Sequence, residues 1–451
     1  MRRKVAEQLG LVTRTPDHVR ARELGMMSRV LDDLPQALEL VYADLLNNRG
    51  EPETGREAMT AEQVLRAIVI KQRFALSYEG LSFELADSNS VRAFCRVPLS
   101  MASPSGSTLQ RNIKRVKAST LEAINRLVIS YAQDKKIESG RSTRSDCTVV
   151  ETNIHEPSDS SLLWDCVKVL VRLMTKAKEA FGVHFESRRR RAKRRAIGIL
   201  NAKSKEQRTA LYRDLLKVTN ETMAQASDVV VQLKSAPCAD LRSAATMCTI
   251  EQEIREIIAL AARVVAQTER RVLRGESVSS TEKIVSIFEP HTDIIVKDRR
   301  DTLYGHKICL TSGASGLVLD VVVEKGNPAD STLARKMVER VGSVLGRLPK
   351  QVSFDGGFSS KANVHEIKEL GVTDVVFSKH VGLDVTDMAK SRWVFRKLRN
   401  FRAGIEAGIS FLKRTFGLSR CNWRGLDSFS AYIWGSVLSC NLLVVARHLI
   451  E

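Results

Sequence analysis

The order in which strand-like and helix-like segments follow one another constrains this chain most. Residues 145–153, SDCTVVETN, are rich in β-branched side chains and bounded by polar ones, which predicts a strand. From residue 162 to about residue 273 the pattern is helical, and strand patterns return only near Ile284. Further strands are expected at 293–297, 306–311, 316–324, 351–355 and 372–378, with helices at 331–345, 361–370 and 396–416.

Without the long helical block, the order reads strand, strand pair, helix, strand, helix, strand, helix. This order predicts an α/β fold with a ribonuclease-H-like mixed sheet as its core, an all-helical N-terminal domain before it, and a large helical insertion after the first core strand. In such a core the first strand lies beside the strand that follows the first crossover helix. Asp146 and Asp355 are therefore expected on adjacent strands.

The same patterns divide the 451 residues into four segments. We expect a helical N-terminal region at 1–140 with a helix-turn-helix-like part at 60–117, the first core strand at 141–163, the helical insertion at 164–280, and the rest of the core with a C-terminal helix at 281–451.

The charge balance predicts a polyanionic partner. The chain has 71 Lys and Arg against 52 Asp and Glu, a formal net charge of +19, which favours nucleic acid over an anionic membrane.

The sequence shows neither a secretory signal nor a membrane span. Its first residues are charged and lack the apolar stretch of a secretory signal. The apolar run at 431–446 is too short for a membrane span, so we interpret it as a buried helix. The eight cysteines are scattered without C-x-x-C pairs. These features favour a cytoplasmic protein without a membrane partner.

Two basic segments are candidates for contact with DNA. In the N-terminal region, a helix expected after Gly106 carries Arg111 and Lys114, as the reading helix of a helix-turn-helix would, although a basic face in water gives the same pattern. In the insertion, residues 188–195 hold seven bases in eight positions, which predicts contact with phosphates, a solvated charge cluster being the alternative. The candidates there are Arg188, Arg189, Arg190 and Arg191.

A single acid, Glu406, lies among the ten basic residues between positions 390 and 424. At about 100° per residue, Arg402, Glu406 and Lys413 lie within about 40° of one another on a helix. The simplest interpretation is an i,i+4 ion pair between Arg402 and Glu406. A second interpretation is that Glu406 belongs to a site that the surrounding bases serve.

Three carboxylates and surrounding bases are what phosphodiester chemistry on DNA requires. Asp146, Asp355 and Glu406 could hold two Mg²⁺ ions, roughly 4 Å apart, with Mn²⁺ as a substitute. The alternatives are that Asp355 begins a turn with the two glycines that follow it and that Asp146 opens a strand. Lys307 either contacts phosphate or lies on a strand without that role.

These residues resemble the DDE transposases of bacterial insertion sequences, in the branch whose third acid lies in a Tyr-Arg-Glu-Lys signature. The spacing of Arg402, Glu406 and Lys413 is similar to that signature, with Arg399 in place of the tyrosine. The segments Asp146-Cys147-Thr148 and Asp355-Gly356-Gly357-Phe358 look like the family's first and second acidic blocks.

The resemblance implies a Mg²⁺-dependent enzyme that cleaves the ends of its own insertion sequence and joins the freed 3′-hydroxyls to target DNA. It implies Asp146, Asp355 and Glu406 as metal ligands, and Arg402, Lys413 and Arg399 as contacts to double-stranded DNA. It also implies a homo-oligomer on DNA in the bacterial nucleoid, without an organic cofactor. The alternatives are a decayed DNA-binding repressor and a standalone metal-dependent nuclease.

Overall fold

The computed structural model describes Lys4 and residues 16–46, 58–98, 100–238, 240–297, 301–379 and 382–451. Within these ranges seven helices precede the first strand, and we call them the head. Thr60 caps the third helix in a capping box with Gln63. The head helices are α1 (Val19–Asp32), α2 (Pro35–Leu46), α3 (Ala61–Arg73), α4 (Tyr78–Asp87), α5 (Asn89–Phe94), α6 (Gly106–Ile113) and α7 (Ala118–Asp134).

The first strand and the helical insertion follow the head. The elements are β1 (Ser142–Thr152), α8 (Asp159–Phe181), α9 (Arg189–Leu200), α10 (Lys205–Ser235), α11 (Leu241–Thr268) and β2 (Asp293–Lys297).

The rest of the chain alternates strands with helices. In order, these are β3 (Asp301–Ser312), β4 (Val318–Val323), α12 (Ala334–Leu345), β5 (Gln351–Phe354), α13 (Lys361–Glu369), β6 (Asp374–Phe377), α14 (Val385–Met388), α15 (Arg392–Thr415), β7 (Arg420–Cys421) and α16 (Leu426–Ile450). Helix α15 begins before the predicted residue 396, because the Ser391 side chain caps it by accepting from the N–H of Val394.

The sheet places the two acid-bearing strands side by side. Five neighbouring strands lie in the spatial order β4-β3-β1-β5-β6, and the short strand β7 pairs with β1. Strand β1 is antiparallel to β3 and parallel to β5, with Ser145 opposite Phe354. Strand β1 contains Asp146, and Asp355 directly follows β5. The predicted adjacency of these two strands is therefore confirmed.

The chain forms two compact units, one of Met1–Thr152 with Gly305–Glu451 and one of Asn153–Tyr304, which we call the inserted unit. The inserted unit extends beyond the predicted 164–280 because the flanking residues Ile284 and Ile287 are buried in its core. The described apolar side chains of the head belong to one cluster with those of β3, β4 and α16, and the head and these elements lie in the same compact unit.

Helix α16 explains why the head joins the sheet. Among the described residues it is the one helix long and apolar enough to span a membrane, yet 89% of its most apolar window is buried inside the protein. It packs on α1, α3 and α7. A helix that is apolar all round must be buried, and the head helices bury this one. The predicted buried helix at 431–446 is confirmed.

In the inserted unit, α8, α9, α10 and α11 pack around their own core. On α11 the apolar residues Ile254, Ala261 and Val264 are fully buried there. These residues therefore contribute to packing within the unit.

Candidate active site

Asp146 lies within β1, opposite Leu310 of β3. Its side chain is 16% exposed, and its Oδ1 accepts a hydrogen bond of 2.7 Å from the N–H of Cys147. Burial raises the pKa of Asp146, and the Cys147 N–H and the Arg402 charge oppose that shift without reversing it.

Asp355 follows β5 directly and begins a short 3-10 turn, Gly356–Phe358. Its Oδ1 accepts a hydrogen bond of 2.9 Å from the hydroxyl of Ser378. Burial raises the pKa of Asp355, but hydrogen bonds from the Gly356 N–H and Ser378, with the charges of Arg402 and Lys379, outweigh it and lower the pKa. The two aspartates therefore differ in environment, and Asp355 is the better stabilised as an anion.

Helix α15 carries Glu406 and is fixed on β1 by Arg144. The Arg144 guanidinium donates to the carbonyl of Phe401 at 2.8 Å and to the hydroxyl of Ser312 at 3.1 Å, and it stacks over the Phe401 ring at 4.7 Å. A Cβ on Gly404 would overlap this guanidinium, so glycine is what lets the helix approach the strand. The approach brings Glu406 to the side of the sheet that holds the two aspartates.

Arg402 joins all three acids. Its Nη2 lies 3.2 Å from Oδ2 of Asp146 and 3.0 Å from Oδ1 of Asp355, and its Nη1 lies 2.9 Å from Oε1 of Glu406. The i,i+4 ion pair predicted as the simplest interpretation is thus present, and it is one part of a larger cluster. We call Asp146, Asp355 and Glu406 the carboxylate triad.

The carboxylate triad has the donor set for a divalent cation. Carboxylate oxygens are the ligands that Mg²⁺ prefers, and the position between these three already attracts a cationic group. Within the described residues, no three His, Cys, Asp or Glu side chains form a ready-made metal cluster. The guanidinium of Arg402 lies between the acids instead, so a bound metal would require it to move.

Lys307 on β3 is held by a fourth acid, which the sequence did not reveal. Its ammonium lies 2.8 Å from Oδ1 of Asp330 and 2.7 Å from the carbonyl of Pro328. Asp330 also lies close to the turn after Asp355. A Cβ added at Gly357 of that turn would come within 2.9 Å of the Asp330 Oδ2. Its negative charge raises the pKa of Asp146, after the larger effect of burial. In the sequence, an acid just before the helix expected at 331–345 is indistinguishable from a helix cap.

The other bases expected near the site lie along α15. Arg399 is exposed three residues before Arg402, and Lys413 is half-buried seven residues after Glu406. His306, beside Lys307, is buried against the ring of Phe429 at 4.9 Å between ring centroids.

The basic run of the inserted unit divides into two sets. Arg191 and Arg195 form ion pairs with Asp214 of α10, and Arg188 lies 3.2 Å from Glu221 of the same helix. Arg189 and Arg190 are exposed, as are Lys193 and Arg194. The acids of α10 therefore neutralise Arg188, Arg191 and Arg195 within the unit. The sequence of the run, which contains only like charges, does not predict these ion pairs. In the head, Arg111 and Lys114 are both exposed at the end of α6.

Two family comparisons match this chain. A model of the transposase DDE domain matches residues 297–442, which include Asp355 and Glu406 but not Asp146. A model of a second transposase domain matches residues 15–115, the range of α1 to α6. No curated protein and no solved structure matches the chain. Because one transposase model covers six of the seven helices of the head and the other covers most of the α/β part that contains two of the three acids, the chain belongs to the DDE transposases of insertion sequences and is a DNA transposase.

Proposed function

We propose that this transposase cleaves the ends of its own insertion sequence and transfers the 3′-hydroxyl ends to target DNA. The residues that carry the reaction are Asp146, Asp355 and Glu406. The observation that supports this proposal is the convergence of the three carboxylates on one cationic group, although β1, β5 and α15 are far apart in the sequence. The strand order β4-β3-β1-β5-β6 supports a ribonuclease-H-like core around them.

The carboxylate triad would hold Mg²⁺, for which Mn²⁺ can substitute. When bound, such ions would supply activation of the attacking oxygen and stabilisation of the leaving oxygen of a phosphodiester. The chain's own part is to hold the ligands in place. Ser378 fixes Asp355, the Cys147 N–H fixes Asp146, and Arg144 fixes the helix that carries Glu406.

Bases around the triad would bind the DNA backbone. Arg402 has the planar fork that matches a phosphate, and Lys413, Arg399 and Lys307 would add positive charge beside it. Arg111 and Lys114 of the head and the exposed bases at 188–195 would also bind DNA, without reading its sequence. We expect a homo-oligomer on double-stranded DNA, because two element ends must be joined together, in the cytoplasm at the nucleoid and without an organic cofactor.

The test is to remove single carboxylates while keeping their shape. Asp355→Asn and Glu406→Gln should each reduce cleavage at the element ends by on the order of 10²- to 10³-fold or more, because charge stabilisation at the reacting phosphate is lost. Binding to the same DNA should persist. Glu369→Gln, at an exposed acid on α13, is the matched control and should cleave like the wild type. Wild-type cleavage by either site variant would overturn the proposal. Cutting without joining in a strand-transfer assay would indicate a nuclease instead.

A further inference from the structure

We infer that Arg402 is an internal cation that competes with divalent metal for the carboxylate triad, so that metal binding releases its guanidinium to bind phosphate. This inference rests on the proposed function, since it takes the triad as the metal site. It concerns the state of the protein before metal and DNA bind.

Arg402 occupies the centre of the cluster. Its side chain is 14% exposed, less than those of Asp146 at 16%, Asp355 at 39% and Glu406 at 62%. One guanidinium is shared by three carboxylates, and its Nη2 bridges two of them. In its absence three acids would face one another with nothing between them, which like charges at close range disfavour.

Arg402 contacts the Asp146 oxygen that does not accept the Cys147 hydrogen bond. Oδ2 of Asp146 faces Arg402, whereas its Oδ1 is turned to the Cys147 N–H. A Mg²⁺ ion binds such oxygens at about 2.0 to 2.1 Å. An ion that took these oxygens as ligands would compete for them with the Arg402 nitrogens, which lie 3.0 to 3.2 Å away, and the two cations would repel each other. Metal and Arg402 therefore exclude each other from the triad.

The displaced guanidinium has donors ready for a phosphate. Arginine carries five N–H donors in a rigid fork, and the Nε of Arg402 is buried without a hydrogen-bond partner in this conformation. A phosphate oxygen is a strong acceptor for that fork. Because the guanidinium binds either the triad or a phosphate, metal should raise the affinity for DNA, and by linkage DNA should raise the affinity for metal.

A purely structural role for Arg402 predicts the opposite. If Arg402 serves to hold the acids together for the metal, its removal should spread them and weaken metal binding. The direction of the change in metal affinity therefore separates the two roles.

The experiment measures Mn²⁺ binding by calorimetry in the full-length protein without DNA. Arg402→Gln should bind Mn²⁺ several-fold to tenfold more tightly than the wild type, and its metal-free form should melt at a lower temperature. Arg402→Lys, which keeps a charge but loses the fork, should lie between them. Arg396→Gln, at an exposed arginine of the same helix, is the control and should match the wild type. Equal or weaker Mn²⁺ binding by Arg402→Gln would overturn the inference.

Asp355→Asn distinguishes this failure from failure of the proposed function. If it binds Mn²⁺ like the wild type, the triad is not the metal site and both proposals fall. If it loses Mn²⁺ while Arg402→Gln shows no gain, only the inference falls. A second readout is the affinity for a duplex from the DNA that flanks the reading frame. Ca²⁺ should raise it in the wild type and not in Arg402→Gln, and an equal rise in both would also contradict the coupling.

Discussion

Gly404 of α15 lies directly against the Arg144 guanidinium of β1, at the point where the helix crosses the strand. Gly404→Ala should destabilise the protein by about 1 to 3 kcal/mol, because the new methyl group displaces an arginine that donates to Phe401 and Ser312. This outcome opposes the intrinsic preference of a helix for alanine, about 1 kcal/mol over glycine. Urea unfolding measures it.

Gly408 provides the matched control on the same helix. A Cβ there would meet nothing within 4 Å, so Gly408→Ala should stabilise the protein by up to about 1 kcal/mol. End cleavage should fall in the Gly404 variant and persist in the Gly408 variant. Equal stabilisation by both changes would show that Arg144 does not fix α15.

Asp330 and Lys307 should act as a pair. Asp330→Asn removes the charge that holds the Lys307 ammonium, and Lys307→Gln removes the ammonium itself. If Asp330 positions Lys307, each single variant should lower the rate of end cleavage about tenfold and the double variant should be no slower than the worse single one. Glu339→Gln, an exposed acid on α12, is the control. Effects that multiply in the double variant would contradict the pairing.

Lys71 should make stability depend on pH in the alkaline range. Burial lowers its pKa to about 8 from the ordinary 10.5, while its ammonium donates to the carbonyl of Leu76. Between these values the unfolded chain binds more protons than the folded one, so the free energy of unfolding rises with pH. Relative to Lys71→Met, the wild type should gain up to about 1.4 kcal/mol per pH unit there.

The measurement for Lys71 is urea unfolding of both proteins from pH 7 to pH 10. Lys361→Met, at an exposed lysine, should follow the wild-type curve. Parallel curves for the wild type and Lys71→Met would refute the expected dependence, which arises from the burial of Lys71 between α3 and the rings of Tyr78 and Trp423.

The two sets of bases on α9 should separate in a salt titration. Arg189→Gln with Arg190→Gln should reduce the slope of log K for DNA against log salt by about 1.8, because two phosphate contacts are lost. Arg191→Gln with Arg195→Gln should instead lower the melting temperature, because Asp214 loses both partners. If the slope of log K against log salt is equal in the two double variants, the division of these bases into DNA-binding and structural sets is wrong.

The adjacency of the strands that carry Asp146 and precede Asp355 could be predicted, because strand order and the rules of chain connection leave few arrangements. The ion pair of Arg402 with Glu406 could also be predicted, because helical spacing is local. The contacts of Arg402 with Asp146 and Asp355 could not. They depend on how closely α15 approaches β1, and that approach is set by a glycine and an arginine 260 residues apart in the chain.

Other parts of the structure depend on partners that no local pattern reveals. The run at 188–195 gives no sign that Asp214 and Glu221 neutralise three of its arginines, because those acids lie on the next helix. The head could not be recognised as part of the core unit, because the apolar surface that binds it belongs to α16, at the other end of the chain.

The inserted unit, Asn153–Tyr304, connects Thr152 to Gly305, and Gly305 lies opposite Glu151 in the antiparallel pair of β1 and β3. In topological terms the whole unit is therefore the loop of a single β-hairpin. Because the entropy of closing a loop grows only with the logarithm of its length, such a large loop costs the sheet only a few kcal/mol more than a short one. A chain in which a two-residue Asn-Gly turn replaces the unit should still form the hairpin. The size of the unit can therefore change between relatives without moving Asp146 on its strand.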